Sequence, residues 1–348
     1  MGFGLSLCVF TGLPSVAHGS GISSNAGTAS SAFLKIGSGA RPAAMGGAFA
    51  GVADDVNALY WNPAGIARLQ NREMTFSHNI WLEDTSYEYL GVVQPLDNYV
   101  MGAGVSYFNI GTMDGWDVNN APTGNFSARS IAFALSVGRV MNDKLSLGLT
   151  LKTVHEKIET ESASAFAADA GGMYKLGDDS SIAFVVQNLG TGVKFVKESA
   201  GLPVNIKIGG AHRLLQNNLI LSLDFNKYSD TGFRGDFGAE YRLAETLALR
   251  LGYNSGNDMG SGLTAGFGFR ISSLNVDYAF VPYGDLGNAH RFSLSYNFNV
   301  NAPQQPRVVE VRVKQAVKAD MEPIKPPAPQ AVKAGVKPTR TGAGNNRK

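Results

Sequence analysis

Cysteine is almost absent: Cys8 is the one cysteine in 348 residues. No disulfide can form within the chain, and Cys-based zinc sites and C-x-x-C redox pairs are excluded. Leu5-Ser6-Leu7 before Cys8 also lacks the small residue that a lipoprotein signal needs. Charge is scarce, at 17% against about 25% in typical soluble domains. Beyond the N-terminus no run of about 18 apolar residues occurs, so no transmembrane helix is predicted. Motifs for catalysis are missing too. The five histidines, His18, His78, His155, His212 and His290, form no HExxH or H-x3–5-H pair. His78 beside Ser77 would be part of a hydrolase pair, but neighbours in a strand point to opposite faces. Gly46-Gly47 and Gly266-Phe267-Gly268 lack nucleotide-binding spacing and a strand–loop–helix setting. Asp114-Gly115-Trp116-Asp117 is no twelve-residue calcium loop. The expectation is a non-enzymatic chain with no cofactor, no metal and no nucleic-acid partner.

What is abundant is glycine, 42 residues, with 44% hydrophobic residues spread so evenly that mean hydropathy is −0.05. Apolar residues diluted by alternation fit a membrane β-barrel. From Glu73 to Val300 the period is two. Fourteen strands are predicted, at 73–81, 87–95, 100–108, 126–138, 145–155, 165–175, 181–188, 203–212, 218–227, 233–242, 246–254, 262–271, 274–281 and 290–300. Leu219, Leu221, Leu223 and Phe225 alternate with Ile220, Ser222, Asp224 and Asn226. Leu247, Leu249, Leu251 and Tyr253 do the same with Ala248, Arg250, Gly252 and Asn254. A soluble sandwich alternates as well, so the period does not separate the two. The connections do. With the first strand running outward, the outer loops 82–86, 109–125, 156–164, 189–202, 228–232, 255–261 and 282–289 are nearly always longer. The inner turns are 96–99, 139–144, 176–180, 213–217, 243–245 and 272–273. Short turns at one end and long loops at the other are the rule in outer-membrane barrels. The fold class expected is all-β: a 14-stranded transmembrane antiparallel β-barrel, residues 73–300, with both ends periplasmic.

Residues 41–65, RPAAMGGAFAGVADDVNALYWNPAG, break this rhythm. Ala43, Ala44, Gly46, Gly47, Ala48, Ala50 and Gly51 let backbone pack close to something else. Asn62-Pro63 reads as a helix start, since Asn is a good N-cap and Pro fits the first helical position. This segment is predicted to plug the lumen as a short, partly helical hatch within residues 18–72. Residues 1–17 read as the tail of a signal peptide whose positive region lies upstream, with Phe3–Phe10 as its apolar core and Ser15-Val16-Ala17 as its cleavage site. Residues 301–348 hold seven of the fourteen prolines and no aromatic residue. Ten basic against three acidic residues give this tail a balance of +7 in a chain of net +2. It is predicted to be a disordered basic periplasmic tail.

Gly39-Ala40-Arg41, Met45-Gly46-Gly47-Ala48, Asp54-Asp55 and Trp61-Asn62-Pro63-Ala64-Gly65 resemble the N-terminal signature of the PorV/PorQ family. That family is similar in turn to FadL-like outer-membrane barrels, whose hatch also carries Asn-Pro-Ala. The resemblance implies a bacterial outer-membrane protein that passes hydrophobic small molecules through a plugged barrel. The alternative it implies is a partner of secreted proteins or secretion-system subunits. Arg41, Gly46, Gly47, Asp54, Asp55, Trp61, Asn62 and Pro63 are then the hatch and gating residues. On the lumen parity the sequence places Arg129, Lys152, Asp169, Asp224, Asp236, Glu240, Arg250, Arg270, Asp277 and Arg291. Buried charges need partners, so these are expected to pair with one another or with Arg41, Asp54 and Asp55. Phe108, Ile110, Met113 and Trp116 are expected to line the outer mouth.

Overall fold

Alternation is what makes the wall. In Leu145–Ile158, Ser146, Gly148, Thr150, Lys152 and Val154 are buried, while Leu147, Leu149 and Leu151 are exposed. The computed structural model describes residues 27–83, 85–195 and 197–298. The predicted signal segment 1–17 and the tail 301–348 lie outside the described residues.

The strands, in chain order, are β1 (Glu73–Ile80), β2 (Ser86–Pro95), β3 (Val100–Trp116), β4 (Pro122–Val140), β5 (Leu145–Ile158), β6 (Glu161–Lys175), β7 (Ser180–Gly190), β8 (Val193–Phe195), β9 (Glu198–Ala200), β10 (Asn205–Leu214), β11 (Leu219–Tyr228), β12 (Phe233–Ala244), β13 (Leu247–Asn254), β14 (Leu263–Ile271), β15 (Leu274–Pro282) and β16 (Asn288–Asn297). All but β8 and β9 form one closed antiparallel barrel, each strand beside its sequence neighbour. Closure is made by β1 on β16, in the register Glu73↔Asn297 through Ile80↔His290. A closed sheet leaves no row of unpaired backbone groups, which hydrocarbon could not satisfy. This is the 14-stranded barrel that the alternation predicts.

Three expected loops are shorter than the sequence reading had them. Residues 109–116 and 122–127 continue β3 and β4 as a paired extension past a register shift at Asn109/Thr112. β5 and β6 pair as far as Ile158↔Glu161. Both faces of the outer part of β4 are exposed, so no apolar period marks it. Backbone pairing alone sustains it. Within 189–202, β8 and β9 add a two-stranded ribbon. The connections at one end, 191–204 and 255–262 among them, remain the longer set, and we call this the long-loop end.

Inside the wall lie a single 3-10 turn (Ala32–Lys35) and three one-turn helices, α1 (Ala40–Ala44), α2 (Ala58–Trp61) and α3 (Pro63–Ile66). The segment starts at the long-loop end, where Ser30 N–H donates to Gly201 O at 2.8 Å. It leaves at the short-turn end, where β1 begins beside the last residues of β16. The barrel's own two ends share one side, as an even strand count requires. The first described residues, 27–30, lie at the long-loop end; the chain's two termini, expected in the periplasm, lie outside the described residues.

Hatch and wall meet through glycine. A methyl group on Gly252 would lie 2.1 Å from Gly46 N, and one on Gly148 would lie 2.2 Å from Pro63 C. One on Gly51 would meet Gly210 C at 2.7 Å. Gly46 itself has φ +66°, a conformation that favours glycine.

Outside, the apolar rows are bare. Leu251 is 66% exposed and Leu149 58%, and Leu135, Phe225, Ile208 and Phe184 join them around the wall. Soluble monomers rarely expose apolar patches beyond a few hundred Å². Leu251→Arg is therefore expected to cost about 2–4 kcal/mol in a bilayer near its midplane. In a water-soluble protein an exposed site would tolerate it within about 0.5 kcal/mol. Folding titrations into lipid vesicles measure the difference.

Candidate functional site

The Asn62-Pro63 step fixes the hatch's shape. Asn62 is extended, and its Oδ1 accepts from Ala64 N–H at 3.0 Å, capping α3 with Pro63 at the first helical position. Its Nδ2 donates to Ala50 O at 2.9 Å, tying the helix to the glycine-alanine loop. Trp61 Nε1 donates to Ser38 O, and Gln187 of the wall donates to Tyr60 O. The loop's other backbone groups are met by wall side chains. Asp224 Oδ2 accepts from Phe49 N–H and Ala50 N–H, at 3.0 and 2.9 Å. Thr264 Oγ1 donates to Ala44 O and accepts from Gly46 N–H, and Ser181 donates to Gly51 O. These bonds explain why a lumen wall has few large apolar residues opposite the hatch. A buried backbone group without a partner costs about 1–3 kcal/mol.

Arg41, on α1, is the hub of the charges. Its Nε and Nη2 reach the two oxygens of Glu240 at 2.7 and 3.0 Å. Its Nη1 donates to Asp54 and Asp55, both at 2.7 Å. Glu240 also accepts from Arg250 Nε at 2.7 Å, and Arg250 Nη1 reaches Asp277 at 2.7 Å. Arg213 closes the other end on Asp54 at 3.1 Å. An alternating chain of charge thus runs from β10 through the hatch to β15. Burial would raise both hatch carboxyls. For Asp54 the charges of Arg41 and Arg213 outweigh it and hold the group below the usual carboxylate range. For Asp55 burial, with the repulsion of Asp54, outweighs Arg41 and holds it above that range.

The hatch divides the lumen into two chambers. The one at the short-turn end, about 310 Å³, is lined by the charged chain, including Arg41, Asp54, Glu240, Arg250 and Asp277. The one at the long-loop end, about 430 Å³, is aromatic: Phe33, Tyr60, Trp61, Trp81, Phe108, Tyr228 and Tyr283 line it. Gly46 and Gly47 lie in its lining, and Lys207, Asp236 and Arg291 add charge.

Of the residues the sequence singles out, Arg41, Asp54, Asp55, Glu240, Arg250 and Asp277 come together in one network. Asp224 and Asp236 lie apart from it, near Lys207, and Lys152 pairs with Asp169 at 2.6 Å. Arg291 donates to Gly37 O at 2.6 Å. One assignment needs correction. Arg129 is exposed, on the outward parity of β4 that it shares with Phe133 and Leu135. The small Ala128, Ala132 and Ala134 take the lumen side there and give no hydropathy contrast. Arg270 keeps the lumen parity and lines the short-turn chamber at its exposed rim, donating to Asn275 rather than joining the charged network. Among the predicted mouth residues Phe108 lines a chamber, whereas Trp116 is exposed on the β3–β4 extension. The sequence reading missed Lys207 and Arg213. Lys207 was detectable, since it shares parity with Asn205 and Gly209 between Ile206 and Ile208.

Two outcomes follow. Asn62→Ala removes a cap worth about 1 kcal/mol and the bond to Ala50. Hydrogen exchange at residues 48–66 should accelerate while the wall stays protected; unchanged exchange would contradict the cap's role. On acidification, Asp55 takes its proton first, and because its folded pKa is raised this does not weaken the folded hatch. Asp54 contributes stability above its unfolded pKa, near 4, and loses it as pH falls through its lower folded value. Protection factors of the backbone amides at residues 41–58 should hold from about pH 7 to 5 and fall only below about pH 4. A transition centred above pH 5 would contradict this.

Several solved structures share this fold. The Pseudomonas putida toluene transporter TodX superposes with a TM-score of 0.55 at 16% identity, over 75% of this chain and 98% of that one. The CymD monoaromatic hydrocarbon channel gives 0.55 at 14%, over 76% and 98%. A Pseudomonas aeruginosa FadL homologue gives 0.52 at 13%, over 76% and 98%. No curated protein matches the chain. A family model does, over residues 11–197, more than half of the sequence: the chain belongs to the Uncharacterised protein family UPF0164.

Proposed function

We propose that the chain is a bacterial outer-membrane barrel that passes small hydrophobic molecules, with residues 39–71 as its plug. The observation that carries this reading is the aromatic chamber seated on the hatch and separated by it from a charged chamber. An oily solute needs a concave apolar site with a few placed polar groups, and a volume near 430 Å³ is in the range for small ligands. The bare apolar belt supports residence in lipid. The fold likeness to a toluene transporter and a hydrocarbon channel supports the class of cargo. In this reading residues 1–17 direct export, the short-turn end faces the periplasm, and the basic tail 301–348 extends there.

The resemblance of residues 39–65 to PorV/PorQ supports the other role, a holder of secreted proteins. It rests on that block alone, and the chambers favour transport.

Arg41, Asp54 and Asp55 are assigned as the latch, with Glu240 and Arg250 as its wall side. Breaking a buried ion pair from one side costs about 3–5 kcal/mol, because the remaining charge stays buried. Arg41→Ala should therefore loosen the hatch and raise single-channel ion conductance above the wild type; conductance as low as wild type would count against the latch. Uptake tests the function itself. Cells expressing the chain should take up labelled toluene several-fold faster than vector controls, and Gly47→Trp, which fills the chamber floor, should abolish the gain. Equal uptake in all three would refute transport.

A further inference from the structure

The aromatic chamber holds a polar subsite that a plain hydrocarbon would leave unused. Lys207, on β10, is 2% exposed, yet it lines the chamber, and its Nζ lies 4.5 Å from the centre of the Trp61 ring. Among the described residues its one ion-pair partner is Asp224, at 4.0 Å, beyond hydrogen-bond distance. That Asp224 oxygen is already taken by Phe49 N–H and Ala50 N–H. Across the same floor stands Asp236, 6% exposed. Its Oδ2 accepts from Asn226 at 2.8 Å, and its Oδ1 has no hydrogen-bond partner. A methyl group on Gly47 would touch both Trp61, at 3.3 Å, and Asp236 Oδ2, at 3.6 Å, so the floor between ring and carboxylate is bare backbone. Of the chamber's other cations, Lys35 pairs with Asp230 at 2.6 Å, Arg291 donates to Gly37 O and lies over Trp81, and Arg234 lies over the Tyr228 ring at 5.9 Å.

We propose that this floor recognises a hydroxyl group on an aromatic ring, so that the preferred cargo is a phenol rather than a hydrocarbon or a carboxylate. The proposal rests on the transport reading and deepens it. The chemistry selects the head group. A hydroxyl accepts from the Lys207 ammonium and donates to the Asp236 carboxylate with one atom. A carboxylate would satisfy Lys207 but face Asp236 and Asp224 with like charge. A hydrocarbon would cover an ammonium and a carboxylate and pair with neither, which desolvates both at a loss. The ring itself is taken by Trp61, which is fixed by its bond to Ser38, and by Tyr60 packed edge-on to it at 5.2 Å.

Four ligands of one shape separate these terms: p-cresol, 4-methylanisole, toluene and 4-methylbenzoate. Binding to the full-length protein in lipid nanodiscs is read by quenching of tryptophan emission, with empty nanodiscs as the baseline. p-Cresol should bind about tenfold or more tighter than toluene, as expected for hydrogen bonds to charged groups. 4-Methylanisole, which accepts but cannot donate, should fall between them, and 4-methylbenzoate should bind weakest. Lys207→Met should bring p-cresol to within about twofold of toluene, with toluene binding no weaker than it does to the wild type. The wild-type series stands on its own if that variant does not fold, which heat-shifted gel mobility reports. Toluene binding as tightly as p-cresol, or 4-methylbenzoate binding tighter than either, overturns the proposal. If the same four compounds are then assayed for uptake, equal uptake of p-cresol and toluene removes the hydroxyl subsite and leaves transport standing. Uptake of none removes both.

Discussion

Backbone-to-backbone contact between plug and wall is the constraint on which this molecule is built. Gly46 of the hatch sits where Gly252 of β13 has no side chain, Pro63 where Gly148 of β5 has none, and Gly51 against Gly210 of β10. Replacing any of these wall glycines by a larger residue would push backbone against backbone, which cannot move aside like a flexible side chain. Interiors pack at crystal-like density, so such a contact leaves no slack. The high glycine content therefore has a place: much of it lies on lumen-facing positions that the hatch occupies.

Close approach creates a second requirement. A hatch with little regular structure has many backbone N–H and C=O groups and no sheet to join. The wall meets them with Asp224, Thr264, Ser181, Gln187, Asn254 and Ser293. These polar side chains force their strands to alternate with apolar residues outside, which is the pattern that suits lipid. Plug, polar lumen and oily exterior are thus one solution. The Arg41 network is its electrostatic counterpart, a guanidinium on the hatch held between carboxylates of hatch and wall. It lies on the short-turn side, which leaves the long-loop side free to be aromatic.

The barrel was legible because strand period, strand number and loop asymmetry act over hundreds of residues. The hatch was legible because its small residues and its Asn62-Pro63 start break that period in one block. What escaped lacked a local signal. The outer parts of β3 and β4 are paired but exposed on both faces, so their hydropathy looks like loop. Arg129 fell on the wrong face because alanine neighbours carry no contrast, and that Arg270 would sit at the rim, outside the network, was not visible because parity does not report depth along a strand. Lys207 carried a signal, a charge at lumen parity between two isoleucines, and its significance depends on Trp61 and Asp236, which only the fold brings beside it. The network around Arg41 was anticipated in membership except for Arg213, and not in order, since no sequence pattern says that Glu240 would bridge two arginines.

The central claim is that the glycine-alanine segment is packed into the wall as firmly as the strands are into each other. Amide hydrogen exchange in lipid at residues 43–53 measures this directly. Protection comparable to that of β13 and β5 is expected, with its selective loss in Gly252→Val while the barrel strands stay slow. Fast exchange across residues 43–53 in the unaltered protein would contradict it.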